Sequence, residues 1–159
     1  MINNHGFGGG VCHGLPKYVP AAQGYEQTRQ GAYPLQCISI HTPRRAHSIF
    51  HNVKWLDDVC ADRMLMAKAD AASRGIRDGD RVKVSSAFGD TLIGVCVSAR
   101  MTPGVVAMPH GRWVSVDEQT GIDHGGSANY ITGEIAQGLG INGYNTLCVE
   151  VARWQQHGE

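Results

Sequence analysis

The sequence has no excess of charge, no long apolar run and no paired-cysteine motif, and each absence argues against a class of function. Lys plus Arg and Asp plus Glu both total 14 of 159 residues, so the formal net charge is zero at pH 7. Without a basic excess to neutralise a phosphate backbone, a dedicated DNA or RNA binder is not expected. No apolar run approaches the roughly 20 residues that a bilayer requires, so no direct membrane contact is expected either. The glycine-rich start, Met1 to Gly10, lacks the basic and apolar regions of a signal peptide. Five cysteines stand at positions 12, 37, 60, 96 and 148, an odd count without a Cys-x-x-Cys pair. Neither a disulfide framework nor a cysteine zinc site follows from them. Cys37, Cys96 and Cys148 lie inside apolar runs, where a free thiol acts as a small hydrophobe. Gly-x-Ser-x-Gly, Gly-x-Gly-x-x-Gly and Walker-type phosphate loops are all missing. With no assignable carboxylate pair or activated cysteine, the chemistry points to a binding module rather than an autonomous enzyme.

What is present is a series of short strands broken by turns. Apolar residues make up 42% of the chain, enough for a single globular core. Residues 1–34, rich in Gly, Pro, Gln and Tyr, read as an extended N-terminal arm or linker. Residues 35–154 read as a barrel domain. Strands are predicted at Leu35–Ile40, Arg63–Ala67, Arg81–Ser85, Thr91–Ser98, Val105–Met108 and Thr146–Ala152. A short helical turn is predicted within Val53–Cys60. A brief helix over Lys68–Arg74 has Asp70 in its first turn and Gly75 at the position of a C-cap glycine. Asp78-Gly79, Phe88-Gly89-Asp90 and Pro103-Gly104 mark turns, the last with the glycine that a type II turn requires. Long helices that would cover a parallel doubly wound sheet are missing, so the fold class is mainly β, a barrel with short helices.

Two segments concentrate binding chemistry. His41-Thr42-Pro43-Arg44-Arg45-Ala46-His47-Ser48 leaves the end of the first strand with two guanidinium groups, two imidazoles and two hydroxyls. Arginine's planar fork matches phosphate oxygens, and loops at strand ends are where rigid scaffolds collect binding residues. The alternative for this segment is a solvated polar loop. A metal reading of His41, His47 and His51 finds spacings of six and four with no carboxylate or thiol among them, so no metal ligand is expected. The second segment, Gly121–Thr132, carries Gly125-Gly126 for close backbone approach and Asn129 as both donor and acceptor. Its alternative is an ordinary long surface loop.

Several phrases occur in a fixed order: Leu15-Pro16-Lys17-Tyr18-Val19-Pro20, Tyr33-Pro34-Leu35-Gln36, Arg44-Arg45-Ala46-His47-Ser48, and Asp70 to Val84. Met101 to Ala107, Gly111-Arg112-Trp113, Asn129-Tyr130-Ile131-Thr132 and Asn145 to Val151 complete the series. Over about residues 15–154 the chain resembles the C-terminal molybdopterin-dinucleotide-binding domain of the dimethyl sulfoxide reductase family, nearest to the anaerobic dimethyl sulfoxide reductase large subunits. The resemblance implies a six-stranded double-psi β-barrel of the aspartate decarboxylase-like kind. It also implies a site for part of a bis(molybdopterin guanine dinucleotide) cofactor.

Carried over by motif, the implied cofactor-binding residues are His41, Thr42, Pro43, Arg44, Arg45, His47, Ser48, Trp113, Asn129 and Asn145. Ile49 replaces a glutamine that many relatives have after the His-Ser pair, and Asn145 replaces the lysine of the nitrate-reductase branch. The family's molybdenum ligand and iron–sulfur cysteines belong to upstream domains, so the chain is expected to hold the cofactor without itself reducing a substrate. The implied partners are the upstream catalytic domains of a molybdoenzyme large subunit, with iron–sulfur and membrane-anchor subunits beyond them. The implied compartment is the periplasm or else the cytoplasm. A competing reading is a cofactor-free psi-barrel interaction or regulatory module, since fold alone does not settle function. A stand-alone enzyme like the aspartate decarboxylases would need a self-processing serine, and none is assignable.

Overall fold

A computed structural model of the chain describes residues 18, 23–28, 31–133 and 145–155. In chain order the elements are α1 (Tyr25–Thr28), β1 (Leu35–Ile40), α2 (Lys54–Val59), β2 (Met64–Ala67), α3 (Lys68–Ser73), β3 (Arg81–Ser85), β4 (Asp90–Ser98), β5 (Val105–Pro109), a 3-10 turn at Ala128–Tyr130 and β6 (Leu147–Arg153). The six strands close into a barrel in the order β1-β5-β2-β4-β3-β6. Two neighbouring pairs, β1 with β5 and β2 with β4, run parallel, and the other four pairings are antiparallel. The mainly β barrel read from the sequence is therefore the fold.

Side-chain alternation fills the barrel. On β3, Val82 and Val84 are fully buried while Arg81 faces solvent, as a strand with one wet face requires. Met64, Met66, Val95, Val106, Met108 and Val149 complete a core of sealed apolar side chains. Burying one such side chain contributes about 1.5–3 kcal/mol. Cys37 and Cys148 are buried too, as small hydrophobes, and burial pushes the Cys37 thiol up to about 12, so it stays protonated.

Turn chemistry fixes the connections. Gly75 has φ +64°; the Ile76 N–H donates to Ala71 O at 2.9 Å and the Gly75 N–H to Ala72 O at 3.2 Å. This is a Schellman ending, with Ile76 tucked into the core beside Ala71. Gly104, φ +85°, lies in the turn entering β5, and its N–H donates to Asp70 Oδ2 at 2.8 Å. The first turn of α3 is thereby tied to the start of β5.

The structure differs from the sequence reading at its edges. Strand β4 begins one residue early at Asp90, and β5 runs on to Pro109. Most of the predicted arm lies outside the described residues. Its far end forms the one-turn helix α1, which packs on β1 and β6. The Cys148 thiol there donates to Gly24 O at 3.6 Å. Among the described residues, no helix is long and apolar enough to cross a membrane.

Candidate functional site

The parallel pairing of β1 with β5 builds the site. Ile40 and Pro109 are register partners at the two C-terminal ends, and the His110 N–H donates to Ile40 O at 3.0 Å. The next residues, His41 and His110, therefore emerge side by side with ring centroids 4.1 Å apart. The chain then turns so that His47 joins them, 5.2 Å from His110 and 5.6 Å from His41. His47 itself holds a φ of +54°, an uncommon conformation for a residue with a side chain.

Gly111 is what allows this turn to sit close. A Cβ on it would fall 2.0 Å from His47 O, and its own φ is +85°. Two residues on, the Trp113 indole N–H donates to Ser48 O at 2.9 Å, and its ring stacks on His51 at 5.4 Å. Gly111-Arg112-Trp113 thus clamps the His47–Ser48 backbone in place.

Beside these residues lies an open cleft of about 520 Å³. Its lining includes Ser39, His47, Ser48, His110, Gly111, Asn129, Thr132 and Asn145 over a floor of Cys37, Met108 and Leu147. The size falls within the range of sites for nucleotide-sized ligands, about 300–1,000 Å³. Among the described residues, hydroxyls, amides and imidazoles line it, and no carboxylate does. Asn145 is anchored through Oδ1, which accepts from the Ser39 N–H at 2.9 Å and the Ser39 hydroxyl at 3.0 Å. That leaves its amide N–H₂ as the group able to donate to a ligand. Burial foremost, then the charges of His41 and His47, holds the His110 pKa below its ordinary value.

The far wall comes from the segment 113–131, organised by Asp123. This wholly buried carboxylate accepts from the Ser115 N–H at 2.7 Å, the Gly125 N–H at 2.8 Å, the Ser127 N–H at 2.8 Å and the Thr91 hydroxyl at 2.7 Å. Burial is the largest influence on its pKa and pushes it up. The hydrogen bonds, foremost from Ser115, together outweigh burial and hold the carboxyl below the usual range. Asp123 fixes the approach to the 3-10 turn that places Asn129 at the cleft.

Of the residues singled out from the sequence, His47, Ser48, Asn129 and Asn145 line this cleft, with His41 in ring contact behind them. The arginines do not line it. Arg45 was expected to present a fork to phosphate. Instead its side chain is only 6% exposed, donates to Asp57 Oδ1 at 3.0 Å and is ion-paired through Nε with Asp62. Arg112 reaches the same Asp62 at 3.8 Å and donates to Gly125 O at 2.6 Å. Arg45 is thus a brace inside the loops, because two nearby carboxylates satisfy its charge. Arg44 faces a separate apolar groove beside Phe50 and Trp55. Thr42 and Pro43 stand outside the cleft lining, and Trp113 supports the clamp. Thr132, the last residue of the Gly121–Thr132 segment, also lines the cleft, as do Ser39 and His110, which were not singled out from the sequence. His110 follows a strand that pairs with β1 across many residues, a neighbour no local spacing reveals. Among the described residues, no group of three His, Cys, Asp or Glu side chains is placed to hold a metal ion.

A closed barrel carrying such a cleft at the ends of a parallel strand pair defines a ligand-binding barrel domain. Residues 35–147 match the molydopterin dinucleotide binding domain family, and the chain belongs to that family. It is 37% identical over 124 residues to the dimethyl sulfoxide reductase DmsA of Escherichia coli (strain K12), covering 78% of this chain and 15% of that protein. It is 31% identical over 134 residues to the dimethyl sulfoxide/trimethylamine N-oxide reductase of Cereibacter sphaeroides, covering 77% of this chain and 16% of that one. Among solved structures, acetylene hydratase from Pelobacter acetylenicus shares the fold with a TM-score of 0.74 at 19% identity, over 88% of this chain and 21% of that chain. The chain spans about 15% of the length of these reductases, and the segment it shares with them falls in the dinucleotide-binding family.

Proposed function

We propose that this chain holds the guanine-nucleotide end of a bis(molybdopterin guanine dinucleotide) cofactor. The parent enzyme would be a molybdenum oxidoreductase that reduces an S- or N-oxide, its active site built by upstream domains. The observation that carries this reading is the cleft at the ends of β1 and β5, which among the described residues is lined by neutral donors and imidazoles. Those donors suit a diphosphate flanked by a base. The glycine at 111, which no side chain could replace, lets the His47–Ser48 turn pack where it lines the cleft.

When bound, the cofactor supplies the redox-active metal; this chain supplies position. Asn145 and Asn129 donate amide N–H groups, Ser48 offers its hydroxyl, and His47 with His110 offers imidazole N–H groups to the anionic bridge. Arg45, Asp62 and Asp123 hold these donors in place beforehand, so little ordering remains to be done on binding. Fixing the tail restrains the pterin attached to it, and with it the metal.

Calorimetric titration of the full chain with diguanosine diphosphate, which carries guanine and the bridging diphosphate, tests this. Replacing Asn129 and Asn145 together by Ala should weaken binding roughly tenfold, equivalent to about 1.4 kcal/mol. Arg44→Ala should change it less than about twofold, as expected for an exposed charge outside the cleft. Equal affinities for wild type and the asparagine double variant would remove the site assignment.

A further inference from the structure

Helix α2 buries none of its own residues, although it carries Trp55, Leu56 and Val59. A helix of six residues has no independent stability in water and forms where packing supports it. Here the packing surface faces outward. Trp55 is 64% exposed, Val59 58% and the preceding Ile49 59%. Phe50 holds a positive φ of 73°, rare for a bulky side chain, with its ring half exposed. Phe50 and Trp55, with Val53, Leu56 and Arg44, line a groove of about 520 Å³. A contiguous apolar surface of this kind marks an interface.

We propose that the α2 ledge is the seat on which the remainder of the large subunit docks. This rests on the cofactor reading above and names the surface that closes the same site. Two observations select that occupant. First, the chain spans only 15% of the length of DmsA, so a relative's body supplies a large surface for the domain to meet. Second, the ledge is continuous with the cleft: residues 47–51 run from the cleft wall into the ledge, and His51 stacks on Trp113, whose indole holds Ser48. A body that covers a cofactor seated in the cleft therefore meets Phe50 and Trp55 on the same approach. Burying them supplies the apolar seal that keeps water from the cleft's open side.

The test compares amide hydrogen exchange of residues 53–60 in two settings. One is the isolated full chain; the other is the full chain grafted into Escherichia coli DmsA in place of the segment it matches. The amides should exchange rapidly in the isolated chain and roughly tenfold or more slowly in the graft, since exchange reports local opening. Trp55→Asp with Leu56→Asp should abolish that slowing in the graft and leave the melting temperature of the isolated chain unchanged. Equal exchange in both settings would overturn the proposal. So would slowing in the isolated chain at every dilution, which would mean residues 1–17 cover the ledge, or slowing that grows with its concentration, which would mean a second copy does. Failure of the cofactor reading shows elsewhere, as diguanosine diphosphate affinity indifferent to Asn129→Ala with Asn145→Ala.

Discussion

Asp123 decides the wall of the cleft through four hydrogen bonds to one carboxylate. The residue is wholly buried, and its two oxygens collect three backbone N–H groups and the Thr91 hydroxyl. Asp123→Asn replaces one acceptor oxygen by a donor, so two of those partners lose their acceptor. Each orphaned buried donor costs about 1–3 kcal/mol, so a loss of roughly 2–6 kcal/mol in urea unfolding is expected. The pH dependence follows from the lowered pKa. In the folded chain the carboxyl resists protonation, while in the unfolded chain it titrates near its ordinary value of about 3.9. The unfolded state therefore takes up the proton first as pH falls. Stability from Asp123 is complete above that value and is lost as pH drops towards the folded pKa. Unfolding measured between pH 3 and pH 7 should show this acid loss in the wild type and a flatter profile in Asp123→Asn. Parallel profiles would mean that other carboxylates carry the acid sensitivity.

Between elements, the strands were legible and the loops that join them were not. Val82 and Val84 alternate with polar neighbours, and glycines follow α3 and flank β5, so periodicity and turn chemistry locate these elements within a residue or two. Arg45 illustrates the opposite case. Its own loop reads as a phosphate cradle, but its partners, Asp57 within α2 and Asp62 just after it, reach it only once the chain has folded back. The acidic residues Asp57, Asp58 and Asp62 after the basic pair were the available signal, because a charge that becomes buried has to be paired. This network ties the loop after β1 to the start of β2, and through Arg112 to Gly125. With side chains only 6% and 5% exposed, Arg45 and Asp62 form a buried pair. Asp62→Ala leaves the guanidinium with Asp57 alone and should cost about 1–3 kcal/mol, whereas Arg45→Met with Asp62→Leu should recover most of that loss. A double-mutant cycle by denaturant unfolding measures the coupling. An additive cycle would show that the two charges do not depend on each other.

For the whole molecule, zero formal charge means that an anionic ligand at neutral pH is drawn by the site and not by a long-range field. Eight histidines change that balance as pH falls, and three of them meet at the cleft. His110 is held below its ordinary pKa by burial first and by its two imidazole neighbours second. A bound diphosphate favours the imidazolium and raises that pKa, so protons and ligand bind cooperatively. Affinity should then climb as pH falls through the bound-state pKa and level off below the free-state one, which lies under the ordinary value of about 6.5. Diguanosine diphosphate suits the measurement, because its diester phosphates keep their charge throughout. Its affinity should rise about tenfold from pH 8 to pH 5.5, the equivalent of one pKa unit. The general rise in positive charge contributes a part that salt screens beyond roughly 10 Å, so repeating the titration in high salt isolates the contact at the cleft. In His110→Gln the salt-resistant part should disappear while neutral-pH affinity changes little. A wild-type affinity that stays level with pH, or a variant as steep as the wild type, would place the phosphates away from the histidines.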